Sequence, residues 1–126
     1  MSKQVIHTEK APAAVGPYVQ AVKYGGVVYT SGQLGIDPAV GKLAEGVEAQ
    51  AHQSMKNIGA ILSEAGTDYS KVIKCTIFVQ DLGDFGTVNK IYESYFAGNF
   101  PARSCVQVAK LPLGGLVEIE CIAIAE

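Results

Sequence analysis

The sequence predicts an α+β domain in which two helices cover one face of a mixed, mostly antiparallel six-stranded sheet. Three observations predict this fold class. The length of 126 residues is typical of one domain with one core, so we expect a single domain over residues 1–126. A hydrophobic content of 48% and a charged content of 17% are typical of a compact globular protein. Strand-like and helix-like segments alternate in the order β, ββ, α, β, α, ββ.

The first half of the chain contains short strands and one long helix. Residues 3–7 have the pattern of a short strand, and residues 19–24 and 27–31 flank a Gly-Gly pair that is typical of a hairpin turn. Residues 37–46 are rich in Asp, Pro and Gly, which indicates a loop. A helix then follows, because apolar side chains recur every three or four positions before a glycine stop. These side chains are Val47, Ala51, Met55, Ile58, Leu62 and Ala65.

The second half contains three longer strands and a second helix. We expect strands at 71–80, 102–109 and 116–125, and a helix over 84–96 with Asp84 as its N-cap. The strands at 72–79 and 116–125 are largely apolar on both sides. Two helices cover only one face of such a sheet, so the other face is expected to form an interface between copies. The sequence predicts an obligate homo-oligomer and leaves two or three subunits open. The strand at 71–80 is expected to place Ile73, Cys75, Ile77 and Val79 on one side and Val72, Thr76 and Phe78 on the other.

Charge and composition exclude several classes of function. The net charge of −2 argues against a nucleic-acid partner, which requires a basic surface. No run of about 18 apolar residues is present, so no membrane span is expected. Residues 1–7 lack an apolar signal core, and the three cysteines are odd in number and widely spaced. These features favour a reducing, cytoplasmic location and a protein without disulfides. The sequence also lacks the motifs of a zinc site and of a phosphate-binding loop.

Residues 100–105, with the sequence Phe-Pro-Ala-Arg-Ser-Cys, form the strongest candidate site. Side chains alternate along a strand, so Arg103 and Cys105 point to the same side. A guanidinium matches a carboxylate in a bidentate way, which would make Arg103 a clamp for an acidic ligand. The alternative is an ordinary surface arginine whose aliphatic stem covers apolar neighbours.

Two carboxylates, Glu118 and Glu120, interrupt the apolar last strand. A carboxylate is costly to bury unless it is paired or functional. If 102–109 and 116–125 form a hairpin, one of the two shares a face with Arg103 and Cys105. The register is open, and so is the alternative that both face solvent at the rim. Lone His7 and His52 have no recognisable partner and receive no catalytic role.

These motifs resemble those of the RidA/YjgF family of reactive-intermediate (enamine/imine) deaminases over essentially the whole chain. Residues 100–106, followed after Leu111-Pro112 by Val-Glu-Ile-Glu at 117–120, carry most of the resemblance. Supporting pieces lie at 11–18, 30–33, 80–85 and 88–89.

The resemblance implies a chorismate-mutase-like fold, a homotrimer and three sites in the clefts between subunits. It implies that Arg103 holds the substrate carboxylate, that Glu118 positions or activates water and that Cys105 lines the pocket. The implied reaction hydrolyses 2-iminobutanoate and 2-iminopropanoate to 2-oxoacids and ammonia, with no metal or cofactor. Further substrate-binding residues implied by the resemblance are Tyr18, Ser31, Gly32 and Asn89.

Other functions remain open at this point. The same trimer could be a non-catalytic binder or sensor of small carboxylates, a chaperone-like protein or an RNA-cleaving enzyme. Glu118 favours the enzyme over the binder, and the acidic balance disfavours RNA. We expect Cys105 not to act as a nucleophile, because no general-base histidine is recognisable near it. The short loop at 97–99 and the uncharged connection at 113–116 leave the cleft rim and the substrate range open.

Overall fold

Seven strands form the main sheet of the computed structural model, which describes residues 2–126. Met1, part of the predicted domain and of the segment 1–7, lies outside the described residues. The strands of this sheet are β1 (Gln4–Ile6), β2 (Ala21–Tyr24), β3 (Val27–Thr30), β4 (Gln33–Leu34), β7 (Val72–Val79), β8 (Ala102–Gln107) and β9 (Val117–Ile124). The α+β class is confirmed, but the main sheet has seven strands, one more than predicted. The two-residue β4 lies between glycines and carries no alternation that would predict a strand.

The long strand β9 lies at the centre of the sheet. The order across the sheet is β1, β2, β3, β9, β7, β8, and β4 pairs with the first half of β9. Every pairing is antiparallel except that of β7 with β8. Two further strands, β5 (Ile36–Asp37) and β6 (Lys42–Leu43), form a small hairpin where a loop was expected.

Both helices pack on the same face of the sheet, as predicted. Helix α1 spans Gly46–Glu64, and α2 spans Phe85–Glu93, which is shorter than the predicted 84–96. Asp84 makes no side-chain capping bond. Asp81 instead accepts a hydrogen bond from the Gly83 amide and caps a short 3-10 turn before α2. The shared core contains Met55, Ile58, Leu62, Cys75, Ile77, Val79, Val88, Tyr92, Phe96, Val117, Ile119 and Cys121.

An irregularity in β7 changes which of its side chains are buried. The pairing of β7 with β9 shifts between Val72 and Lys74, so that one extra residue is accommodated. As a result Val72 is buried on the same side as Cys75, whereas Ile73 is exposed. The predicted sides of Val72 and Ile73 are thereby reversed. The alternation from Cys75 to Val79 follows the prediction.

Strands β8 and β9 do not form a hairpin, because β7 lies between them. Arg103 on β8 is opposite Cys75 of β7, and Cys75 is opposite Cys121 of β9. Arg103 therefore belongs to the face that carries the helices. Glu118 is opposite Phe78 and belongs to the other face. The hairpin on which the expectation of a shared face for Arg103 and a glutamate of β9 depended is therefore absent, and the two groups lie on opposite faces.

The second face of the sheet carries apolar side chains that no helix of residues 2–126 covers. Tyr29 and Val106 are 48% and 44% exposed on this face, and Val5 and Tyr24 are similarly exposed. A patch of this kind usually marks an interface. Neither helix of the described chain has the length and apolar character that a membrane span requires.

Candidate active site

Six of the seven predicted site residues, all except Cys105, fall into two separate depressions of the protomer. The first, here called the Glu118 cleft, has a volume of about 900 Å³ and includes Tyr18, Ser31, Gly32 and Glu118 in its walls. The second, the Arg103 pocket, has a volume of about 320 Å³ and includes Asn89 and Arg103. Other walls of the cleft are formed by Pro12, Ala13, Val15, Gln33, Leu34, Ile36, Pro38, Gly41, Pro112, Leu113 and Glu120.

Strand pairing fixes the position of Glu118 in the wall of its cleft. Its backbone is opposite Leu34 of β4 on one side and Phe78 of β7 on the other. Its carboxyl group lies against the backbone of Gly32. A Cβ atom built on Gly32 would come within 2.8 Å of the Glu118 Cδ and 2.9 Å of its Oε2. Glycine at position 32 therefore allows the carboxyl group to approach the main chain closely.

The environment of Glu118 favours the protonated form of its carboxyl group. Burial in the cleft raises the pKa of Glu118, and the negative charge of Glu120 raises it further. A carboxylate with a raised pKa is a stronger base than an exposed one. It is thus better matched to proton transfer near neutral pH.

Ser31 and Tyr18 line the cleft beside Glu118. The Ser31 hydroxyl donates a hydrogen bond of 2.6 Å to the Val19 carbonyl, and its amide donates to the Gln20 carbonyl at 2.9 Å. These bonds fix the segment that precedes Gly32, and the hydroxyl oxygen keeps its ability to accept. The Tyr18 side chain is 49% exposed at the mouth of the cleft, where its phenol is accessible to a ligand.

Aromatic rings and an amide orient Arg103 on the other face. Its guanidinium carbon lies 5.1 Å from the ring centre of Phe85 and 5.3 Å from that of Tyr92, within the range of cation–π contacts. Its Nη1 donates to Oδ1 of Asn89 on α2. This bond uses one donor and leaves the rest of the planar fork for a carboxylate.

Cys105 lies on the same face of β8 as Arg103 and packs against the core. Burial raises the pKa of the Cys105 thiol, and the nearby charge of Arg103 only partly opposes this effect. A thiol with a raised pKa is mostly protonated near neutral pH and is a poor nucleophile. Cys105 is not among the residues that line the Glu118 cleft or the Arg103 pocket of one protomer, so its place in a pocket stays a prediction.

Sequence reasoning missed the side chains that support Arg103. Phe85 and Tyr92 belong to the apolar stripe of α2, which predicts only that they face the core. Their contact with Arg103 depends on the parallel pairing of β8, which is a long-range feature. No group of three or more His, Cys, Asp or Glu side chains within residues 2–126 is placed to hold a metal ion.

Comparison with known proteins places the chain in a family. The family model described as Endoribonuclease L-PSP matches residues 8–125. The chain belongs to this family, RidA/YjgF. The 2-iminobutanoate/2-iminopropanoate deaminase of Mus musculus is 53% identical over 123 residues, which cover 97% of this chain and 91% of the relative. The protein of the same name in Salmonella typhimurium is 54% identical over 127 residues and is covered to 98%, as is this chain.

Solved structures of the RidA/YjgF family share the fold closely. The crystal structure of E. coli TdcF with bound serine has a TM-score of 0.94 and 44% identity, and the match covers 98% of this chain and 99% of that one. The YjgF gene product of E. coli has a TM-score of 0.93 and 48% identity with the same coverage. The predicted family and fold class are thereby confirmed.

Within one protomer of this RidA/YjgF protein the two candidate catalytic groups are on opposite faces of one sheet. Glu118, Gly32, Ser31 and Tyr18 are brought together in one cleft. Arg103 is brought together with Asn89 in the other pocket. A small ligand cannot contact both groups in one copy, because the sheet separates them.

Proposed function

We propose that this protein hydrolyses 2-iminobutanoate and 2-iminopropanoate to the corresponding 2-oxoacids and ammonia. The observation that carries the proposal is the desolvated carboxyl group of Glu118, held against Gly32 in a cleft. The names of relatives that are more than 50% identical over the aligned residues support the same reaction. The RidA/YjgF fold alone would not decide it, since one fold hosts many functions.

The proposed chemistry needs only a base and a clamp. The carbon of a protonated imine is already electrophilic. Glu118 takes a proton from water as the water oxygen adds to that carbon, which forms a tetrahedral aminoalcohol. Glu118 then returns this proton to the nitrogen. As the C–N bond breaks and ammonia leaves, the hydroxyl group gives its proton to Glu118 and becomes the carbonyl of the 2-oxoacid, and Glu118 releases that proton to solvent or to ammonia. Arg103 pairs with the substrate carboxylate and aligns the carbon with the water.

We further propose that the site is shared between copies in a homotrimer. The separation of Glu118 from Arg103 in one protomer supports a shared site, because a second copy can bring its Arg103 pocket to the Glu118 cleft of the first. The uncovered apolar face supports an interface of substantial size. The number three follows from the resemblance to the family.

Three free cysteines support a reducing, cytoplasmic location.

The test is release of ammonia and 2-oxoacid from freshly generated 2-iminobutanoate. We expect acceleration by the wild type and loss of it in Arg103→Ala and Glu118→Gln. Mixed assemblies of the two variants, prepared by unfolding and refolding together, should regain activity at about a quarter of the sites, those that combine two intact halves. Absence of wild-type acceleration would overturn the reaction. Failure of the mixture, with mixed assemblies present, would overturn the shared site.

The description of the family as an endoribonuclease raises the question of RNA cleavage. The Glu118 cleft carries two carboxylates, Glu118 and Glu120, and its lining contains no Lys, Arg or His. A polyanion is repelled by such a surface, and the chain has a net charge of −2. The charge distribution therefore favours a small substrate over RNA.

A further inference from the structure

We infer that Gln50 and Asn57, two buried amide side chains of α1, are positioning residues that hold the backbone on both sides of Glu118. This inference rests on the proposed role of Glu118 in hydrolysis. Gln50 is 5% exposed and Asn57 is fully buried, although both are on a helix face that packs mainly through apolar side chains. Neither residue touches the cleft, because neither is among its walls.

Gln50 connects α1 to two segments that converge on the cleft. Its Oε1 accepts a hydrogen bond of 2.8 Å from the amide of Leu116, two residues before Glu118. Its Nε2 donates to the Ala44 carbonyl at 3.1 Å. Ala44 in turn donates its amide to the Gly35 carbonyl at 2.9 Å, next to β4. One amide thereby joins the start of β9 to the chain that follows β4.

Asn57 anchors β4 to α1 through hydrogen bonds. Its Nδ2 donates to the Leu34 carbonyl at 3.2 Å and to the Ile36 carbonyl at 2.9 Å. Leu34 is the residue directly opposite Glu118 in the sheet. Gln53 donates to Oδ1 of Asn57 at 2.9 Å, which fixes the orientation of the amide. The strand that borders Glu118 is therefore anchored to the helix by side-chain bonds.

The contact between α1 and this segment leaves little room for movement. A Cβ atom built on Gly35 would come within 2.5 Å of the Cα and the carbonyl oxygen of Gln50. A glycine is required there because the two backbones touch. Buried amides are expensive unless every partner is in place. Apolar side chains in place of Gln50 and Asn57 would avoid this cost in free energy. The presence of two amides therefore indicates that their hydrogen bonds are needed to fix these segments.

Movement of these segments would act directly on the Glu118 carboxyl group. The residues opposite Glu118, Leu34 and Phe78, do not titrate. Glu120 and Tyr18 are the titratable neighbours among the residues that line the cleft. If the start of β9 or β4 shifts, water enters between Gly32 and Glu118, and the pKa of Glu118 falls towards its ordinary value because the burial that raises it is reduced.

The test compares Gln50→Met and Asn57→Leu with two controls on the same helix. Ser54→Ala removes a fully buried hydroxyl that has no hydrogen-bond partner within residues 2–126, and Ile58→Val removes a methylene from the core. Kinetics give kcat, KM and the pH profile, and carbon-detected NMR of the full-length protein gives the pKa of the Glu118 carboxyl group. NMR hydrogen exchange reports protection of the Leu116 amide.

We expect Gln50→Met and Asn57→Leu to lower kcat by roughly tenfold or more while KM changes little, since the carboxylate is misplaced but the clamp is intact. We also expect a lower Glu118 pKa in both variants and a loss of protection of the Leu116 amide in Gln50→Met. Ile58→Val should lose stability, whereas Ser54→Ala should not, because a buried hydroxyl without a partner does not stabilise the fold. Neither control should change kcat or the Glu118 pKa. Gln50→Asn, which is too short to reach both partners, replaces Gln50→Met if the latter does not fold.

Two results would overturn the inference. One is an unchanged Glu118 pKa and kcat in folded Gln50 and Asn57 variants. The other is an equal change in Ser54→Ala or Ile58→Val, which would reduce the effect to general loosening of the core. The NMR measurement does not need turnover. A wild type without hydrolysis would therefore refute the proposed function, while the carboxyl pKa and the Leu116 amide would still decide the positioning role.

Discussion

Replacement of Gly32 by alanine should separate activity from stability at the Glu118 cleft. The added Cβ would lie 2.8 Å from Cδ of Glu118, whereas carbon atoms pack at about 3.5–4.0 Å. The carboxyl group must therefore retreat by roughly 0.7–1.2 Å. A displacement of about 1 Å at a catalytic group can cost on the order of 100-fold in rate. We expect kcat/KM for 2-iminobutanoate to fall by about that factor in Gly32→Ala.

The same substitution should change the free energy of unfolding very little. Gly32 does not have a positive φ, so alanine is compatible with its backbone. Loss of chain entropy in the unfolded state favours alanine by about 0.4–1 kcal/mol. Against this, moving the flexible end of Glu118 off its preferred rotamer costs about 0.5–1.5 kcal/mol. The two effects nearly cancel, and the net change should stay within about 1 kcal/mol.

Gly35→Ala is the matched comparison, because its Cβ would meet the backbone of Gln50 at 2.5 Å and no side-chain movement can relieve this contact. It should destabilise the protein by about 1–3 kcal/mol or more. Urea unfolding and ammonia release are measured on both variants. Full activity in folded Gly32→Ala would refute the account of how Gly32 and Glu118 are packed. So would a loss of stability equal to that of Gly35→Ala.

Three further predictions concern the remaining site residues. Arg103→Ala should lower kcat/KM by roughly 30- to 150-fold, because a charge-assisted pair with the substrate carboxylate contributes about 2–3 kcal/mol; steady-state kinetics checks this. Cys105→Ala should keep activity within a few fold and show no burst or adduct by mass spectrometry, since the thiol is protonated. Glu118→Gln should abolish turnover. The variant should also become more stable relative to wild type as pH rises, because the wild type loses stability. The folded-state pKa of Glu118 is raised, so its contribution to stability is full below the unfolded-state pKa and is lost as pH rises through the folded-state pKa. Glutamine does not titrate, and urea titrations at pH 4 and pH 8 measure the difference.

Local patterns predicted most of the elements of this fold. The apolar positions of α1 recur at helical spacing, and the alternation Val-Glu-Ile-Glu in β9 places Glu118 and Glu120 on one face, as the structure confirms. Both patterns depend only on the geometry of a single helix or strand. The features that were missed, β4 and the β5–β6 hairpin, are two-residue strands that form only because β9 and α1 hold the adjacent chain.

The pairing of β8 could not be derived from the local sequence. The segment 102–107 alternates in the same way whether it joins β9 in a hairpin or β7 in a parallel pair. Its parallel pairing requires the chain to cross through α2 after β7, and the register is decided by packing of α2 on the sheet. The sequence could therefore identify Arg103 and Glu118 as separate candidates. It could not show which face each occupies.

The separation of Arg103 from Glu118 follows from the parallel pairing of β8 with β7. With β8 parallel to β7 at the sheet edge, Arg103 turns towards α2, where Phe85, Tyr92 and Asn89 orient its guanidinium. Glu118, on the central strand, turns to the face that α1 and α2 leave open. The proposed base is thus on the central strand of one protomer, and the proposed clamp is on an edge strand that a neighbour can reach. A requirement for both groups then makes assembly a condition of catalysis, so dilution that separates the copies should abolish turnover even when each protomer stays folded.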